Sequence, residues 1–380
     1  MSKLRKLTDK IKPAFEKGGK LSFLYSTFEA FESFLFVPNR VTRSGVHVRD
    51  SVDLKRVMTA VMIALVPTLL FGIYNIGYQH DLASNAGMEF WEMVWFGFLK
   101  ILPLYLVSYI VGLGIEFASA QLRGHEVNEG YLVTGMIIPL IVPITTPLWM
   151  LALAVAFAVI IGKEIFGGTG MNIWNPALVA RAFLFFAYPS HMSGDKVWVA
   201  GVDGFSGATP LAQTSEGLSS LHYSVSDMFF GFIPGSVGET STLAILLGAA
   251  FLIYTGIGSW KIMLSTVAGG LVMGFIANLA APSADCAMAI PAWYHLIMGG
   301  FAFGAVFMAT DPVTSAQTEC GKWIYGFLIG VLAVIIRLFN PGYPEGMMLA
   351  ILLMNTFAPL IDHIVVGRNI KRRLKRAKTV

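Results

Sequence analysis

The sequence predicts an all-α polytopic membrane protein of about ten transmembrane helices, arranged as two inverted five-helix repeats with broken, re-entrant helices. The composition points there first. Of 380 residues, 55% are hydrophobic and only 13% are charged, about half the charge of a soluble domain, and the mean hydropathy is +0.67. That balance excludes a disordered chain, a soluble enzyme and a nucleic-acid binder. The second observation is the recurrence of apolar runs of membrane-crossing length. The third is the segregation of the positive charges.

The apolar runs cover 57–78, 96–118, 130–147, 148–166, 173–189, 241–258, 260–279, 292–310, 323–339 and 347–365. Residues 1–56 hold 12 of the 27 Lys and Arg, and Arg368, Lys371, Arg372, Arg373, Lys375, Arg376 and Lys378 crowd the last 13 positions. Positive segments stay cytoplasmic, so both termini are expected inside, which requires an even number of spans. Between 190 and 240 only Lys196 faces Asp195, Asp203, Glu216, Asp227 and Glu239, so this loop is expected outside. With ten spans, Arg123, Lys163, Lys261 and Lys322 fall near cytoplasmic ends, and the turns 79–95, 280–291 and 340–346, free of Lys and Arg, fall outside. The chain thus divides into a basic, amphipathic N-terminal segment (1–56), a first five-helix unit (57–189), an external loop (190–240), a second five-helix unit (241–365) and a basic tail (366–380). Arg181 and Arg337 lie in or near spans and need partners. No cleavable leader is expected, because the first 56 residues are polar and mixed.

A repeat of five spans must be inverted, since five is odd. Asn175-Pro176 opens the fifth run and Asn340-Pro341 precedes the tenth. The third is interrupted by Pro139, Pro143 and Pro147; the eighth carries Gly299, Gly300 and Gly304 and ends at Asp311-Pro312. Interrupted helices at matching places in two halves mark a site near the midplane, although prolines and glycines also serve plain helix packing.

Three stretches carry candidate chemistry. In the external loop, Thr209-Pro210 within Ser206-Gly207-Ala208-Thr209 reads as a helix N-cap followed by proline at the first helical position; its hydroxyl is also a possible attachment point for a phosphate-containing group. At the inner end of the fifth run, residues 162–176 form a glycine-rich turn with Gly167, Gly168, Asn172, Trp174 and Asn175. It reads as a capped re-entrant turn, or as a place where backbone and amides meet a flat ring; it lacks the P-loop spacing. Glu116, Glu164, Asp311 and Asp362 are acids at membrane depth or edge, which mark an ion path or act as caps; carboxylate and carbonyl oxygens suit hard cations such as Na+. Residues 125–130 form a polar patch that contacts a partner or caps the third span. Tyr25, Phe28, Phe31, Phe34 and Phe36 give segment 25–37 an amphipathic, membrane-surface character. The two cysteines, Cys286 and Cys320, and seven scattered histidines offer no fixed transition-metal site.

These strings resemble the B subunits of the Na+-translocating NADH:quinone oxidoreductases nearly end to end. The resemblance rests on 47–56, 125–130, 163–170, 175–177, 206–209, 301–304, 309–312, 340–348 and 369–373. The D subunits of Rnf-type complexes share the Ser-Gly-Ala-Thr string and the ten-span plan; the basic N-terminus and the 125–130 patch favour the first family. The resemblance implies FMN joined through its phosphate to Thr209 by a separate flavin transferase, within the loop of Ser206, Gly207 and Ala208. It implies non-covalent riboflavin beside Asn172 and Asn175, with Gly167, Gly168 and Trp174 nearby. It implies electron transfer from NADH, oxidised on a partner, through both flavins to ubiquinone, coupled to outward Na+ movement in a bacterial inner membrane, with subunits A, C, D, E and F as partners. Glu116, Asp311, Asp362 and Glu164 match suspected Na+-path acids, and Gly112 matches a region implicated in quinone binding. Leu113 stands where that family often has a second glycine. A flavin-free channel with inverted repeats and a cofactor-free scaffold are the competing classes.

Overall fold

The computed structural model describes residues 3–16, 19, 21–36, 42, 44–46, 48, 54–123, 130–202, 207–340 and 345–377. Without water, a backbone group can be satisfied only inside its own segment or by protein, so apolar runs become helices; the described residues contain helices and turns and no strands. The helices are α1 (Lys3–Ile11), α2 (Tyr25–Leu35), α3 (Leu54–Ser84), α4 (Phe90–Arg123), α5 (Tyr131–Ile141), α6 (Leu148–Ile160), α7 (Pro176–Ala187), α8 (Pro189–Met192), α9 (Pro210–Glu216), α10 (Val225–Phe230), α11 (Thr242–Tyr254), α12 (Trp260–Ala280), α13 (Tyr294–Ile297), α14 (Phe301–Phe303), α15 (Glu319–Phe339) and α16 (Met347–Ala377). Among the described residues, six helical segments are long and apolar enough to cross a membrane. The chain is a multi-pass membrane protein.

All ten expected runs correspond to helical structure, but five are shorter than expected; the fourth ends its α-helix at Ile160, followed by the 3-10 turn Glu164–Phe166. The third, fifth and sixth become α5, α7 and α11, of 11, 12 and 13 residues. At 1.5 Å per residue these extend roughly 16–20 Å, well under the ~30 Å hydrocarbon core. Pro143 and Pro147 stop the third run, Pro176 delays the start of the fifth, and Gly256, in a left-handed conformation (φ +71°), follows the sixth. The eighth run is divided into α13, α14 and a π-helical turn, Gly304–Met308. Hydropathy registers these flanks as apolar; only the backbone shows that they are not helical.

The α12–α15 contact is the most extensive in the fold. A Cβ on Gly269 would strike the Phe327 carbonyl, and one on Gly330 would strike that of Thr266. Between membrane helices there is little hydrophobic drive, so close backbone approach at small residues supplies the packing. Further contacts pair α3 with α4 and α11, α4 with α5 and α6, α6 with α7, α15 with α16, and α7 with α16. One core runs through both halves, with Leu65, Ile101, Leu140, Val155, Leu178, Phe301, Ile329 and Ile351 buried in it. The N-terminal segment docks on this body. Phe15 stacks on Phe28 (4.7 Å), Phe31 meets Phe117 of α4 (6.1 Å), and Lys12 pairs with Glu32 (2.9 Å). The expected amphipathic character of segment 25–37 thus serves partly to bind protein.

A smaller cluster of Leu211, Met228, Ile233, Ile297 and Met298 supports α9 and α10. The end of α9 is tied across the fold, because Ser219 donates through both N and Oγ to the Asp285 carboxylate (2.7 Å each). These bonds hold the Asp285 carboxyl below its ordinary range, the side-chain bond most strongly.

Two predictions rest on these contacts. Gly330→Leu should force α12 and α15 apart, lowering stability by about 1–3 kcal/mol, read as a lower melting temperature in detergent. The hydrogen-exchange protection of the Ser219 amide should persist above the ordinary carboxylate range and fall away as pH drops through the depressed Asp285 value; Asp285→Asn should abolish that pH dependence.

Candidate functional site

Two cavities sit where helices break, and α7 has contacts at both. The first lies at the start of α7. Asn175 caps that helix, its Oδ1 accepting from Ala177 N (3.0 Å) with Pro176 at the first position. Its Nδ2 donates to Asp311 Oδ2 (3.2 Å). Asp311 also accepts from Thr314 Oγ1 and Val313 N (3.1 Å each). One asparagine therefore ends the turn, starts a helix and holds a carboxylate from the second half of the chain.

The cleft around this pair encloses about 80 Å3 and opens to the surface, smaller than a typical preformed small-molecule site. Val61, Ile137, Leu252 and Phe307 give it apolar walls; Asn172, Asn175, Lys163, Thr169 and Asp311 supply polar groups. The Thr169 hydroxyl is buried and has no hydrogen-bond partner among the described residues. Asn172 reaches back to the Trp174 carbonyl (3.0 Å).

The glycine-rich turn is built from its own backbone. Gly167 and Gly168 have φ of +118° and +94°, a region other residues avoid, and their amides close on Glu164 O and Lys163 O (3.1 Å each). Trp174 bonds Thr356 through Nε1 (2.9 Å) and meets Phe166 edge-on. Gly167, Gly168 and Trp174 thus shape the turn, while Asn172 and Asn175 line the cleft.

The four membrane acids do not form one cluster. Glu116 of α4 is buried and paired with Lys163, itself buried. Glu164 accepts from Ser119 (2.5 Å), and Arg123 lies 3.6 Å from it; both pairs fasten the turn to α4. Asp362 accepts from the amides of Gln317 (2.7 Å) and Thr318 (2.9 Å) and from the Thr318 hydroxyl (2.6 Å), securing the start of α15. Asp311 lines the cleft. Gly112 is buried under Tyr131, whose ring occupies the space a Cβ would need.

The second cavity, of about 10 Å3, is lined by Thr209, Pro210, Gly235, Ser236, Glu239, Thr240, Gly299 and Glu345, among others. Thr209 is the N-cap of α9, its Oγ1 accepting from Ala212 N (3.2 Å). Gly207 and Ala208 precede it; Ser206 lies outside the described residues, as do 125–129 of the polar patch and Pro341. Beside Thr209 lies a charge cluster that the sequence signalled only by an intramembrane arginine. Arg181, midway along α7, donates to Glu239 (2.5 Å) and pairs with Glu345. Arg337 of α15 donates to the carbonyls of His295 (2.6 Å) and Met298 (2.8 Å), groups left over where the eighth run breaks. Lys163 is the other site residue with no signal in the sequence beyond its charge.

The NQR2, RnfD, RnfE family model matches residues 41–371. The chain belongs to this family. Its relatives include proteins named as the B subunit of Na(+)-translocating NADH-quinone reductase. The one from Chromohalobacter salexigens is 48% identical, covering 98% of this chain and 96% of the relative. Those from Pseudomonas aeruginosa and Azotobacter vinelandii are 46% and 47% identical, covering 98% of this chain and 99% of each relative. The resemblance read from the motifs is borne out by these matches.

For this family member, Lys163→Met should leave the Glu116 carboxylate buried without a counter-charge, a loss of about 3–5 kcal/mol. Lys163→Met combined with Glu116→Leu should recover most of it. Melting curves of the purified single and double variants check the coupling.

Proposed function

We propose that this chain is the flavin-carrying B subunit of a Na+-translocating NADH:quinone reductase in a bacterial inner membrane. It crosses ten times as two inverted five-helix repeats, with both termini cytoplasmic and the Thr209 loop periplasmic. The packing pattern supports the repeat. The α4–α6 contact has its counterpart in α12–α15, α6–α7 in α15–α16, and α5–α7 in the π turn with α16; α3–α11 and α7–α16 join the halves. The distribution of Lys and Arg supports the orientation.

The observation that carries the reading is the pair of cavities, with Thr209 in one and Asn172 and Asn175 in the other; α7 starts at the second of these, and its Arg181 pairs with Glu239 of the first. Thr209 holds FMN through a phosphoester in this reading. Capping and attachment are compatible, because an esterified Oγ keeps a lone pair for the Ala212 N–H. The larger cleft suits riboflavin: it has apolar walls for a flat ring and a Thr169 hydroxyl with no hydrogen-bond partner among the described residues. The flavins supply the electron chemistry when bound. The chain's own residues fix position and exclude water, and Asn175 couples the cleft to Asp311. Asp311, Glu116, Glu164 and Asp362 provide oxygen ligands along a Na+ path, and the Gly112–Tyr131 packing borders the quinone region. With no dinucleotide fingerprint in this chain, NADH is oxidised elsewhere among subunits A, C, D, E and F. The assembly reduces ubiquinone within membrane lipid, and a separate flavin transferase modifies Thr209. The chain binds no nucleic acid and does not turn over alone. The relatives' names favour this reading over an Rnf-type D subunit.

Peptide mass spectrometry across Thr209, on protein purified in its membrane complex, is expected to show an FMN-sized adduct that Thr209→Val removes. Asn172→Leu should lose extractable riboflavin while keeping the adduct. An unmodified Thr209, in cells that flavinylate another target, would overturn the reading.

A further inference from the structure

The start of α7 is held by more than its own cap. The Asn175 carbonyl accepts from Val179 N (3.1 Å), its Oδ1 accepts from Ala177 N (3.0 Å) and its Nδ2 donates to Asp311 Oδ2 (3.2 Å). Its backbone N–H reaches the middle of α16. There the Asn355 amide has one orientation that suits its neighbours. Oδ1 accepts from Asn175 N (3.3 Å), and Nδ2 donates to the Ile351 carbonyl (3.2 Å) and to Tyr325 Oη of α15 (2.6 Å). The reverse orientation would set an NH2 against an N–H and an oxygen against a carbonyl. Tyr325 is 0% exposed and Asn355 1%. One residue further along α16, Thr356 accepts from Trp174 Nε1 (2.9 Å). Adjacent residues of α16 thus hold adjacent residues of the turn.

Polar side chains buried this deeply are costly unless satisfied, and satisfied they fix one arrangement of their surroundings. The arrangement fixed here is that of Asn175. A free asparagine amide can turn over and exchange its oxygen for its NH2. At Asn175 the oxygen is turned to the first turn of α7, and Nδ2 is turned to Asp311, which lines the cleft together with Asn175. An NH2 carries two hydrogens, and one of them serves Asp311. What Asn175 offers a cleft ligand is therefore an N–H, and the ligand group that suits it is an acceptor. The edge of a flavin ring carries carbonyl oxygens and ring nitrogens of that kind. The Asn355 bond is the one that ties the backbone of Asn175 to the second half of the chain, while Asp311 ties its side chain.

We propose that Asn355, with Tyr325 behind it, is a positioning residue of the cleft: it holds Asn175 so that an amide N–H is presented to the acceptor edge of the bound ring. This rests on the riboflavin reading given above and deepens it. Asn355 and Tyr325 act through Asn175. A fixed donor at that edge favours the form of the ring with more electron density on its acceptors, so the pair sets part of the cofactor's redox potential from a distance.

The test uses the complete complex with Asn355→Leu or Tyr325→Phe. Riboflavin is measured per covalent flavin after detergent washing, and the midpoint potential of each flavin is followed by spectroelectrochemical titration. Asn355→Leu is expected to lower retained riboflavin about fivefold or more, the effect of one lost hydrogen bond, and to shift the potential of what remains downward. The Thr209 adduct and its potential should not move. Tyr325→Phe should shift the riboflavin potential in the same direction by less, because the Ile351 carbonyl still holds the Asn355 amide. A lower melting temperature with riboflavin content and potential unchanged would overturn the proposal, as would equal losses at both flavins, since a purely structural role predicts either. If Asn355→Leu fails to assemble, Tyr325→Phe decides, and an unmoved riboflavin potential there overturns the proposal. A wild-type complex without riboflavin defeats the reading of the cleft itself, whereas riboflavin present with an unmoved potential defeats only the positioning role.

Discussion

A guanidinium inside an apolar bundle must be met by carboxylates, and much of the architecture around Thr209 follows from meeting that need at Arg181. Its partners, Glu239 and Glu345, come from the segments before α11 and α16, 58 and 164 residues away in sequence. Removing either partner would leave a buried charge, a penalty of several kcal/mol, so three distant pieces of chain are held to one point. Arg337 meets the other need of the membrane interior, the unpaired carbonyl: it takes up the His295 and Met298 oxygens where helical bonding lapses. Irregular backbone at membrane depth survives only where such groups are supplied.

The same logic organises the inner cleft. The glycine turn that precedes α7 bends back into the protein, and a bent segment carries free backbone groups and charged ends. Lys163 answers Glu116, while Glu164 answers Ser119 and Arg123, so the turn is fastened to α4 at two adjacent residues. Asn175 then does for Asp311 what Arg181 does for the two glutamates. The two residues are six positions apart on one short helix, about 9 Å of rise. The start of α7 lines the inner cleft, and its Arg181 holds Glu239, which lines the Thr209 cavity. The short helix, a departure from the expected full span, thus links the two.

Rigid seams surround these openings. Where Gly269 and Gly330 let α12 and α15 touch backbone to backbone, the contact tolerates no added methyl group, in keeping with the density of protein interiors. The broken helices carry the cavities and the glycine-packed pairs carry the frame. The candidate cofactor groups lie at the breaks, while the contacts of Asp362 and Glu164 also secure a helix start and a turn.

Much of this was legible in the residues. Charge depletion and apolar runs of membrane-crossing length determined a helical membrane chain, because a run of that length can satisfy its own backbone in hydrocarbon as a helix. Thr209 and Asn175 declared themselves as caps, since capping is a local matter of one side chain and the next few amides. The sequence also marked Arg181 as needing a partner. It offered 23 acids and no means of choosing among them, and nothing in it paired Lys163 with Glu116. Partners so far apart along the chain meet only once helices have packed. Hydropathy and capping act over a few neighbouring residues, and so can be read from sequence. The pairing of buried charges and the enclosure of cavities are set by which segments share space, and that was decided by the tertiary fold alone.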